Sequence, residues 1–298
     1  MKRLLLFILA IAFFNISALA DISQTEAQQK LTALEKSFAG KIGVYALDTN
    51  SNQVIAYRAD ERFPVQSTFK LIVVAALLKQ SQSDKNLLQE KIHYTKNDFV
   101  SWRPITNKYL ATGMTLEALA VATLNYSDNP AANLIMKKLG GPQAITDFAH
   151  SIGNKSFNVK HYEVDLNSNP NNAEDTATPK DMAISVEKLT LGNVLTPANR
   201  AQLIRWMQDN TTGYGRISAG TPIGWTVAEK TGGGFGNYGM ANDIGILWSP
   251  YCKPIVLAIY TVQNQKNAKP RDDIVASATS IVMDEFAKND PCFKELFA

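Results

Sequence analysis

The sequence lacks three features that would assign it to large classes of protein. Beyond its N-terminus it has no apolar run long enough to span a bilayer, so we predict no stable membrane insertion. It has no arginine-rich run or basic patch, which argues against nucleic acid as a partner. It also shows no internal repeats and no low-complexity segments. The 298 residues are instead enough for a large core, built as one big domain or as two interleaved lobes.

The first 20 residues have the pattern of a secretory signal peptide. A charged start is followed by an apolar stretch at residues 4–14 and by a small-x-small cleavage signal that ends at Ala20. A membrane anchor fits less well, because the apolar stretch is short and the cleavage signal is well placed. We therefore predict cleavage after Ala20, which leaves 278 residues with 28 basic and 27 acidic side chains.

Cysteine is scarce: the chain has two, Cys252 and Cys292, both in its last fifth. Export would place them in an oxidising compartment, where they could pair. A predicted strand at residues 254–262 and a predicted helix at residues 271–288 would bring Cys292 back near Cys252 if the helix folds antiparallel onto the strand. A disulfide and two free thiols both stay open at this point. Neither cysteine lies near the residues to which we assign chemistry below.

Segments that favour strands lie at both ends of the chain, and helical segments lie between them. The first two predicted strands flank a polar turn and form a hairpin. The simplest assembly is an α+β fold, with an antiparallel sheet of about five strands built from both termini, helices that flank it and a mainly helical insertion. We predict an α/β lobe from residues 21–65 and 211–298, and a mainly helical lobe from residues 66–210. The predicted strands are residues 41–48, 54–60, 225–230, 243–248 and 254–262.

Helix start and stop signals fill the middle of the chain. Asn129 is predicted to cap a helix that ends at Gly140, and Pro142 opens another that stops at Gly153. Two stretches without periodicity, residues 91–104 and 161–179, are predicted as loops, and the second is long enough to be functional or disordered. Further helices are predicted after Ser67, at residues 115–125, from Thr178-Pro179, from Thr196-Pro197 and at residues 271–288.

The tetrapeptide Ser67-Thr68-Phe69-Lys70 and the apolar run behind it carry the first chemical signal. A helix that starts near Ser67 would place its hydroxyl and the Lys70 amine one turn apart on the same face. Residues 71–78 are apolar all round, which predicts a buried helix. A serine and a lysine at the buried end of a helix suggest a nucleophile and its proton acceptor. The tetrapeptide alone is weak evidence for a catalytic site, because a capping serine with a surface lysine explains most such matches.

Three further motifs give that signal its specificity. S-D-N stands at residues 127–129, K-T-G at residues 230–232, and E-V-D-L-N in the long loop at residues 163–167. S-x-x-K, S-D-N and K-T-G together mark class A β-lactamases and penicillin-binding proteins. The chain resembles the class A serine β-lactamases across essentially its whole mature length, with some features of the carbapenem-hydrolysing and extended-spectrum members. The resemblance implies a two-lobed fold with the catalytic cleft between the lobes.

The resemblance also implies roles for the catalytic residues. Ser67 would attack the β-lactam carbonyl and form an acyl-enzyme, with Lys70 sharing the role of proton acceptor. Ser127 would pass a proton to the departing nitrogen. Glu163 and Asn167 would hold the water that releases the acyl group. Whether the lysine or the glutamate takes the first proton is disputed for the family.

Substrate binding and the oxyanion hole follow from the same resemblance. The backbone N–H groups of Ser67 and Gly233 would form the oxyanion hole. Asn129 would orient the amide of the substrate side chain. The residues of the K-T-G motif would bind the substrate carboxylate: Lys230, Thr231 and Gly232.

Two positions depart from the usual class A pattern. His161 stands where the family has an arginine two residues before the loop glutamate, and Asp175 is its expected partner at the far end of the loop. Because the charge of a histidine depends on pH, we expect a His161–Asp175 contact to close the loop less firmly at high pH, with a neutral hydrogen-bonded histidine as the alternative. Gln66 and Gly234 stand where carbapenem-hydrolysing relatives carry a disulfide, so that link cannot form here.

Two more residues are expected at the cleft by their position. No arginine follows the K-T-G strand, but Arg216 lies where some carbapenem-hydrolysing relatives place theirs, and Arg271 is a weaker candidate. We expect Arg216 to help hold the substrate carboxylate, with a plain surface arginine as the alternative. Trp102 falls where those relatives have an aromatic wall, with burial in the core as the alternative.

The predicted function is hydrolysis of the β-lactam amide bond, with no metal and no other cofactor. The expected enzyme is a periplasmic monomer that acts on penicillins and cephalosporins, with carbapenems left open. The alternatives are a penicillin-binding D,D-peptidase and a covalent β-lactam-binding sensor, both of which release the acyl group slowly. Glu163 and Asn167 favour the hydrolase, because an ester on serine turns over only if a second base activates water.

Overall fold

The computed structural model describes residues 25–166, 169–233 and 238–294, so the predicted signal peptide lies outside the described residues. The helices are α1 Glu26–Phe38, α2 Phe69–Gln80, α3 Leu116–Asn125, α4 Asn129–Leu139, α5 Pro142–Ser151, α6 Pro179–Thr190, α7 Pro197–Gln208, α8 Ile217–Gly220, α9 Asp272–Asn289 and α10 Pro291–Lys294. The strands are β1 Gly40–Asp48, β2 Val54–Tyr57, β3 Phe63–Pro64, β4 Lys91–Ile92, β5 Met114–Thr115, β6 Thr176–Ala177, β7 Thr226–Gly233, β8 Ala241–Trp248 and β9 Ile255–Gln263. Across these residues, no helix combines the length and the apolar character needed to cross a membrane.

A five-stranded antiparallel sheet joins the two ends of the chain. Its order is β2-β1-β9-β8-β7, so the N-terminal hairpin pairs directly with the C-terminal strand β9. Side chains of β9 alternate between two hydrophobic clusters, one with α1 and α9 and the other with the helices of the middle segment. Because both faces are covered, β9 is buried at every position but its last. The predicted α+β fold is confirmed, while the lobe boundaries stay a prediction.

Helix α2 is buried on every side, as its apolar sequence predicts. Residues 69–78 are all buried, and the helix packs against α3, α4, α5 and α7. A 3₁₀ turn, Gln66–Thr68, precedes it, so Ser67 lies in this turn and α2 itself begins at Phe69. The turn and the first residues of α2 therefore hold Ser67 and Lys70 at the inner end of a rigid element.

The start of α4 differs from the prediction. Asp128, and not Asn129, is the cap, since Asp128 Oδ1 accepts the N–H of Ala131 at 3.0 Å. The other oxygen, Oδ2, accepts the N–H groups of Ile105 and Thr106, both at 2.9 Å. The Asn129 side chain is thereby left for contacts inside the site. The predicted loop at residues 91–104 also differs, because it begins with β4, which pairs with β5.

The C-terminal end is tied to the rest of the sheet. Cys252 and Cys292 form a disulfide across 40 residues, which decides between the two alternatives left open above. Asn50, in the turn after β1, donates a hydrogen bond to Asp290 at 2.8 Å. The disulfide and this contact lie at the end of the sheet where Asp48 pairs with Ile255.

Candidate active site

The hydroxyl group of Ser67 lies between the amine of Lys70 and the carboxylate of Glu163. Lys70 Nζ donates to Ser67 Oγ at 3.0 Å, which confirms the contact expected from the S-x-x-K spacing. Ser67 Oγ in turn donates to Glu163 Oε1 at 3.2 Å. A hydroxyl with a proton acceptor within reach is the arrangement that nucleophilic catalysis needs.

Lys70 is fully buried, and its ammonium group joins the elements of the site. Nζ lies 2.9 Å from Glu163 Oε1, donates to the carbonyl oxygen of Ser127 at 2.9 Å, and also reaches Ser127 Oγ at 3.3 Å. It also donates to Oδ1 of Asn129. Burial lowers the pKa of Lys70, and the carboxylate of Glu163 opposes that shift. A lysine with a lowered pKa is neutral, and so able to accept a proton, in a larger fraction of molecules than a lysine in water.

Glu163 points into the cavity, and the loop that carries it is anchored to α4. Asn133 donates from Nδ2 to the Glu163 carbonyl oxygen at 2.7 Å and accepts the Glu163 N–H at 2.9 Å. The peptide bond between Glu163 and Val164 is cis. Asn167, the expected second ligand of the water, lies outside the described residues.

Ser127 lies between two buried lysines. Lys230 Nζ donates to Ser127 Oγ at 3.2 Å, and Lys70 Nζ donates to the same oxygen at 3.3 Å. Burial lowers the pKa of Lys230 well below its usual value, and the positive charge of Lys70 lowers it further. A hydroxyl between two such amines can receive a proton on one side while it gives one up on the other.

Strand β7 forms one wall of the site, and its K-T-G motif comes very close to the serine turn. A Cβ on Gly232 would lie 2.9 Å from the carbonyl oxygen of Val65 and 3.0 Å from the N–H of Thr68. Only glycine permits this approach. Thr231 Oγ1 is in hydrogen-bond contact with Thr212 Oγ1.

These residues surround a cavity of about 690 Å³. Lys70 and Lys230 are fully buried beneath it, and their ammonium groups reach the residues that line it. Nine of the predicted site residues line the cavity: Ser67, Trp102, Ser127, Asn129, Glu163, Arg216, Thr231, Gly232 and Gly233. Ser67 and Gly233, expected to form the oxyanion hole, are both in this set.

Trp102 forms part of the rim and is not a core residue. Its side chain is 61% exposed, which removes the alternative of core burial. The indole N–H donates to the carbonyl oxygen of Tyr126 at 2.9 Å, and the Trp102 carbonyl oxygen accepts the N–H of Asn129 at 3.0 Å. The ring is therefore held at the cleft by both its side chain and its backbone.

Arg216 reaches the cavity, whereas Arg271 does not line it. The guanidinium of Arg216 donates to the carbonyl oxygens of Gly232 and Asn242, at 2.6 and 2.7 Å, and to Asp272 at 2.8 Å. Arg271 instead pairs with Asp273 on the surface. Of the two predicted arginines, Arg216 is thus the one placed beside the K-T-G strand.

His161 and Asp175 are in contact, as expected. His161 Nδ1 lies 2.6 Å from Asp175 Oδ2, and the other carboxylate oxygen accepts the N–H groups of Lys160 and His161, at 2.8 and 3.2 Å. The hydrogen bond to Asp175 raises the pKa of His161. This contact closes the loop that carries Glu163.

Several residues of the site are not predicted by the sequence motifs. Asn133 lies four residues after Asn129, one turn further along α4, and this spacing was the available signal. Thr212 has no neighbouring motif that could have identified it. Met240, Lys269 and Asp272 also line the cavity without any such signal. Among the described residues, no group of three or more His, Cys, Asp or Glu side chains could hold a metal ion.

Comparison with known proteins places the chain in a family. The sequence profile of the β-lactamase enzyme family matches residues 26–286. The chain is 43% identical over 280 residues to the carbapenem-hydrolyzing β-lactamase KPC of Klebsiella oxytoca, with 94% of each chain covered. It is 47% identical over 255 residues to β-lactamase OXY-2 of the same organism, covering 85% of this chain and 87% of the relative.

A solved structure agrees with the sequence comparisons. The crystal structure of a β-lactamase from Desulfarculus baarsii superposes with a TM-score of 0.85 and 41% identity, over 91% of this chain and 97% of that chain. The fold, the motifs and the cavity that they line all agree with these matches. The chain therefore belongs to the β-lactamase enzyme family, and its resemblance to the class A members is confirmed.

Proposed function

We propose that the protein hydrolyses the amide bond of β-lactam antibiotics through an acyl-enzyme on Ser67, followed by attack of a water that Glu163 activates. The observation that carries this proposal is the position of Ser67 Oγ, within 3.0 Å of Lys70 Nζ and 3.2 Å of Glu163 Oε1. One oxygen thus has two candidate proton acceptors. Acylation needs one of them, and release of the acyl group needs a base that is still available afterwards.

In acylation, the Ser67 oxygen forms a bond to the lactam carbonyl carbon as its proton moves to Glu163 or Lys70. The carbon–nitrogen bond of the ring then breaks. The departing nitrogen takes the hydroxyl proton of Ser127, which is replaced from Lys70 through the contact at 3.3 Å. Where Glu163 took the first proton, it passes that proton to Lys70 across the contact at 2.9 Å and is ionised again before deacylation. The backbone N–H groups of Ser67 and Gly233 hold the oxyanion.

In deacylation, Glu163 changes partner. Once Ser67 Oγ is part of an ester it can no longer donate to Glu163 Oε1, so that oxygen becomes available to a water molecule. Glu163 takes a proton from this water while the water oxygen bonds to the ester carbonyl carbon. The bond from that carbon to the Ser67 oxygen then breaks, and Ser67 regains its hydroxyl proton from Glu163 across the contact at 3.2 Å. Asn167 is proposed as the second group that holds this water.

The substrate carboxylate is proposed to lie at the K-T-G end of the cavity, beside Lys230, Thr231 and Arg216. The side-chain amide would contact Asn129, and Trp102 would pack against the apolar parts of the substrate. KPC, one of the relatives, is named for carbapenem hydrolysis; for this chain we propose penicillins and cephalosporins as substrates. Export to the periplasm would put the enzyme in the path of these antibiotics and give resistance.

The test is continuous hydrolysis of a chromogenic cephalosporin by the purified mature protein. We expect many turnovers per molecule, and none from Ser67→Ala. A single stoichiometric burst from the unmodified protein would contradict the proposal and favour a D,D-peptidase or a covalent sensor. The direct contact between Glu163 and Ser67 supports the hydrolase over both, since it places the second base at the ester.

A further inference from the structure

Two buried carboxyl groups lie side by side behind the K-T-G strand. Glu229 precedes Lys230 on β7, and Asp243 pairs with Thr231 in the register of β7 and β8. Because side chains alternate along a strand, Glu229 and Asp243 lie on the same face of the sheet as Thr231. Glu229 is 4% exposed and Asp243 is fully buried.

The hydrogen-bond donors around this pair are too few for two ionised carboxylates. Ser218 donates its hydroxyl to Glu229 Oε1 at 2.9 Å and its N–H to Oε2 at 3.2 Å. Ile217 donates its N–H to Asp243 Oδ2 at 3.2 Å. Asp243 Oδ1 is buried and receives no N–H group from the described residues. The carboxyl groups of Asp243 and Glu229 are themselves in side-chain hydrogen-bond contact, which requires a proton between them because an ionised carboxylate only accepts.

In the described part of the chain, the positively charged groups near Glu229 and Asp243 do not make hydrogen bonds to either carboxyl group. Arg216 lies closest, but its hydrogen bonds go to two backbone carbonyl oxygens and to Asp272 of α9. Lys230 points to the other face of β7, towards Ser127. Tyr260 of β9 is a neutral neighbour whose own pKa is raised by burial. Burial raises the pKa of both carboxyl groups, more strongly for Asp243, where the charge of Glu229 adds to it.

Glu229 and Asp243 accept hydrogen bonds from the start of α8, and this anchors the preceding segment, which brings Thr212 and Arg216 to the cavity. The three groups that donate to the pair belong to the first turn of α8, directly after Arg216. Gly213 lies so close that a Cβ there would overlap Glu229 Oε1. We propose that Glu229 and Asp243 share one proton and together act as positioning residues for the substrate-binding segment 212–216. This inference rests on the proposed function, because Arg216 of this segment is placed there beside the substrate carboxylate.

Loss of the shared proton has a definite consequence. Two negative charges would then face each other in a buried space, and the contacts to the first turn of α8 would loosen. Thr212 and Arg216 would be held less firmly, while Ser67, Lys70 and Glu163 are on other elements. The Michaelis constant should therefore rise at alkaline pH more than kcat falls.

The test compares Asp243→Asn with the unmodified protein across pH, each profile normalised to its own value at neutral pH. An asparagine amide can donate the same hydrogen bond to Glu229 without an ionisable proton. We expect the alkaline rise in KM to be smaller in Asp243→Asn by about threefold or more. Asp48→Asn, which changes a buried carboxyl at the opposite end of the sheet, should keep the profile of the unmodified protein. Superimposable profiles for the unmodified protein and Asp243→Asn would overturn the proposal.

A second measurement does not depend on catalysis. A proton held between two buried carboxyl groups should give a far-downfield signal in the proton NMR spectrum of the folded protein. We expect this signal to disappear in both Asp243→Asn and Glu229→Gln, the second variant serving if the first does not fold. Its absence from the unmodified protein, or its persistence in both variants, would overturn the shared proton. If the protein failed to hydrolyse β-lactams, the proposed function would fail and this signal could still be read.

Discussion

Both backbone polar groups of Glu163 are hydrogen-bonded to a single side chain, that of Asn133. The amide of Asn133 donates to the carbonyl oxygen at 2.7 Å and accepts the N–H at 2.9 Å. The proposed base of the deacylation step thus takes its position from helix α4, which also carries Asn129. These two hydrogen bonds tie a loop residue to a helix, which fixes its backbone more firmly than the loop would by itself.

We expect Asn133→Ala to slow release of the acyl group. The variant leaves two backbone groups of Glu163 without their partner, at a cost of about 1–3 kcal/mol, and the carboxylate would be held less well. The fraction of acylated protein at steady state, read by intact-mass spectrometry, should rise, and kcat should fall by about tenfold. Asn199→Ala is the matched control, because Asn199 holds the carbonyl oxygen of Leu78 at the other end of α2. Equal acylated fractions in both variants would contradict this role for Asn133.

The His161–Asp175 contact should make the stability of the loop depend on pH. The pKa of His161 is raised in the folded protein, so the contact stabilises fully below the unfolded pKa of about 6.5 and is lost as the pH rises through the folded value. We expect the thermal midpoint of the unmodified protein to fall relative to that of His161→Arg as the pH rises from about 6 to 8. The effect should be small and reduced by salt, because the His161 side chain is 43% exposed. Parallel curves of thermal midpoint against pH for the two proteins would contradict this role of the His161–Asp175 contact.

The disulfide should matter for stability and not for catalysis. It closes a loop of 40 residues, for which the chain-entropy model gives a stabilisation of about 4 kcal/mol. The double variant Cys252→Ser, Cys292→Ser should lose a large part of this free energy of unfolding in a urea titration. Its kcat/KM should stay within about twofold of the unmodified protein, since the bond lies at the far end of the sheet from the cavity. A large loss of kcat/KM in the folded double variant would contradict the prediction that the disulfide affects stability and not catalysis.

Arg216 should act on substrate binding through its guanidinium group, whose Nη1 donates to two backbone carbonyl oxygens and whose Nε donates to Asp272. It holds the carbonyl oxygens of Gly232 and Asn242 and leaves its outer face towards the cavity. We expect Arg216→Ala to raise KM by about tenfold, and Arg216→Lys to recover only part of this, because a lysine cannot make the paired contacts. Arg271→Ala is the control, since Arg271 pairs with Asp273 on the surface. An unchanged KM in Arg216→Ala would return Arg216 to a purely structural role.

Much of the fold could be predicted because its signals are local. The strands at both ends and the apolar run of α2 each follow from short-range patterns. The S-x-x-K and K-T-G motifs identify the site residues at the start of α2 and on β7. Pairing of Cys252 with Cys292 could not be decided, because it depends on how α9 packs against the sheet. Asp128 and Asn129 are both good caps, and contacts made only in the folded chain decide between them: Asp128 accepts the N–H of Ala131, and Asn129 contacts Lys70.

The parts of the site that escaped prediction are those made by distant pieces of chain. Thr212 meets Thr231 only because the segment before α8 packs against β7. Trp102 likewise has a positive φ of 57°, a conformation that is uncommon for a residue other than glycine. Neither feature has a spacing or a composition that a sequence alone would show.

The most direct test of the account is Glu163→Gln mixed with a penicillin and followed by intact-mass spectrometry. The amide can still accept a hydrogen bond but cannot take a proton from water, so kcat should fall by about three orders of magnitude. We predict that the mass of one substrate stays on the protein and maps to the peptide that contains Ser67, whereas Glu174→Gln, in the same loop, turns over normally. Turnover of Glu163→Gln at the rate of the unmodified protein, or an adduct on another residue, would contradict the account.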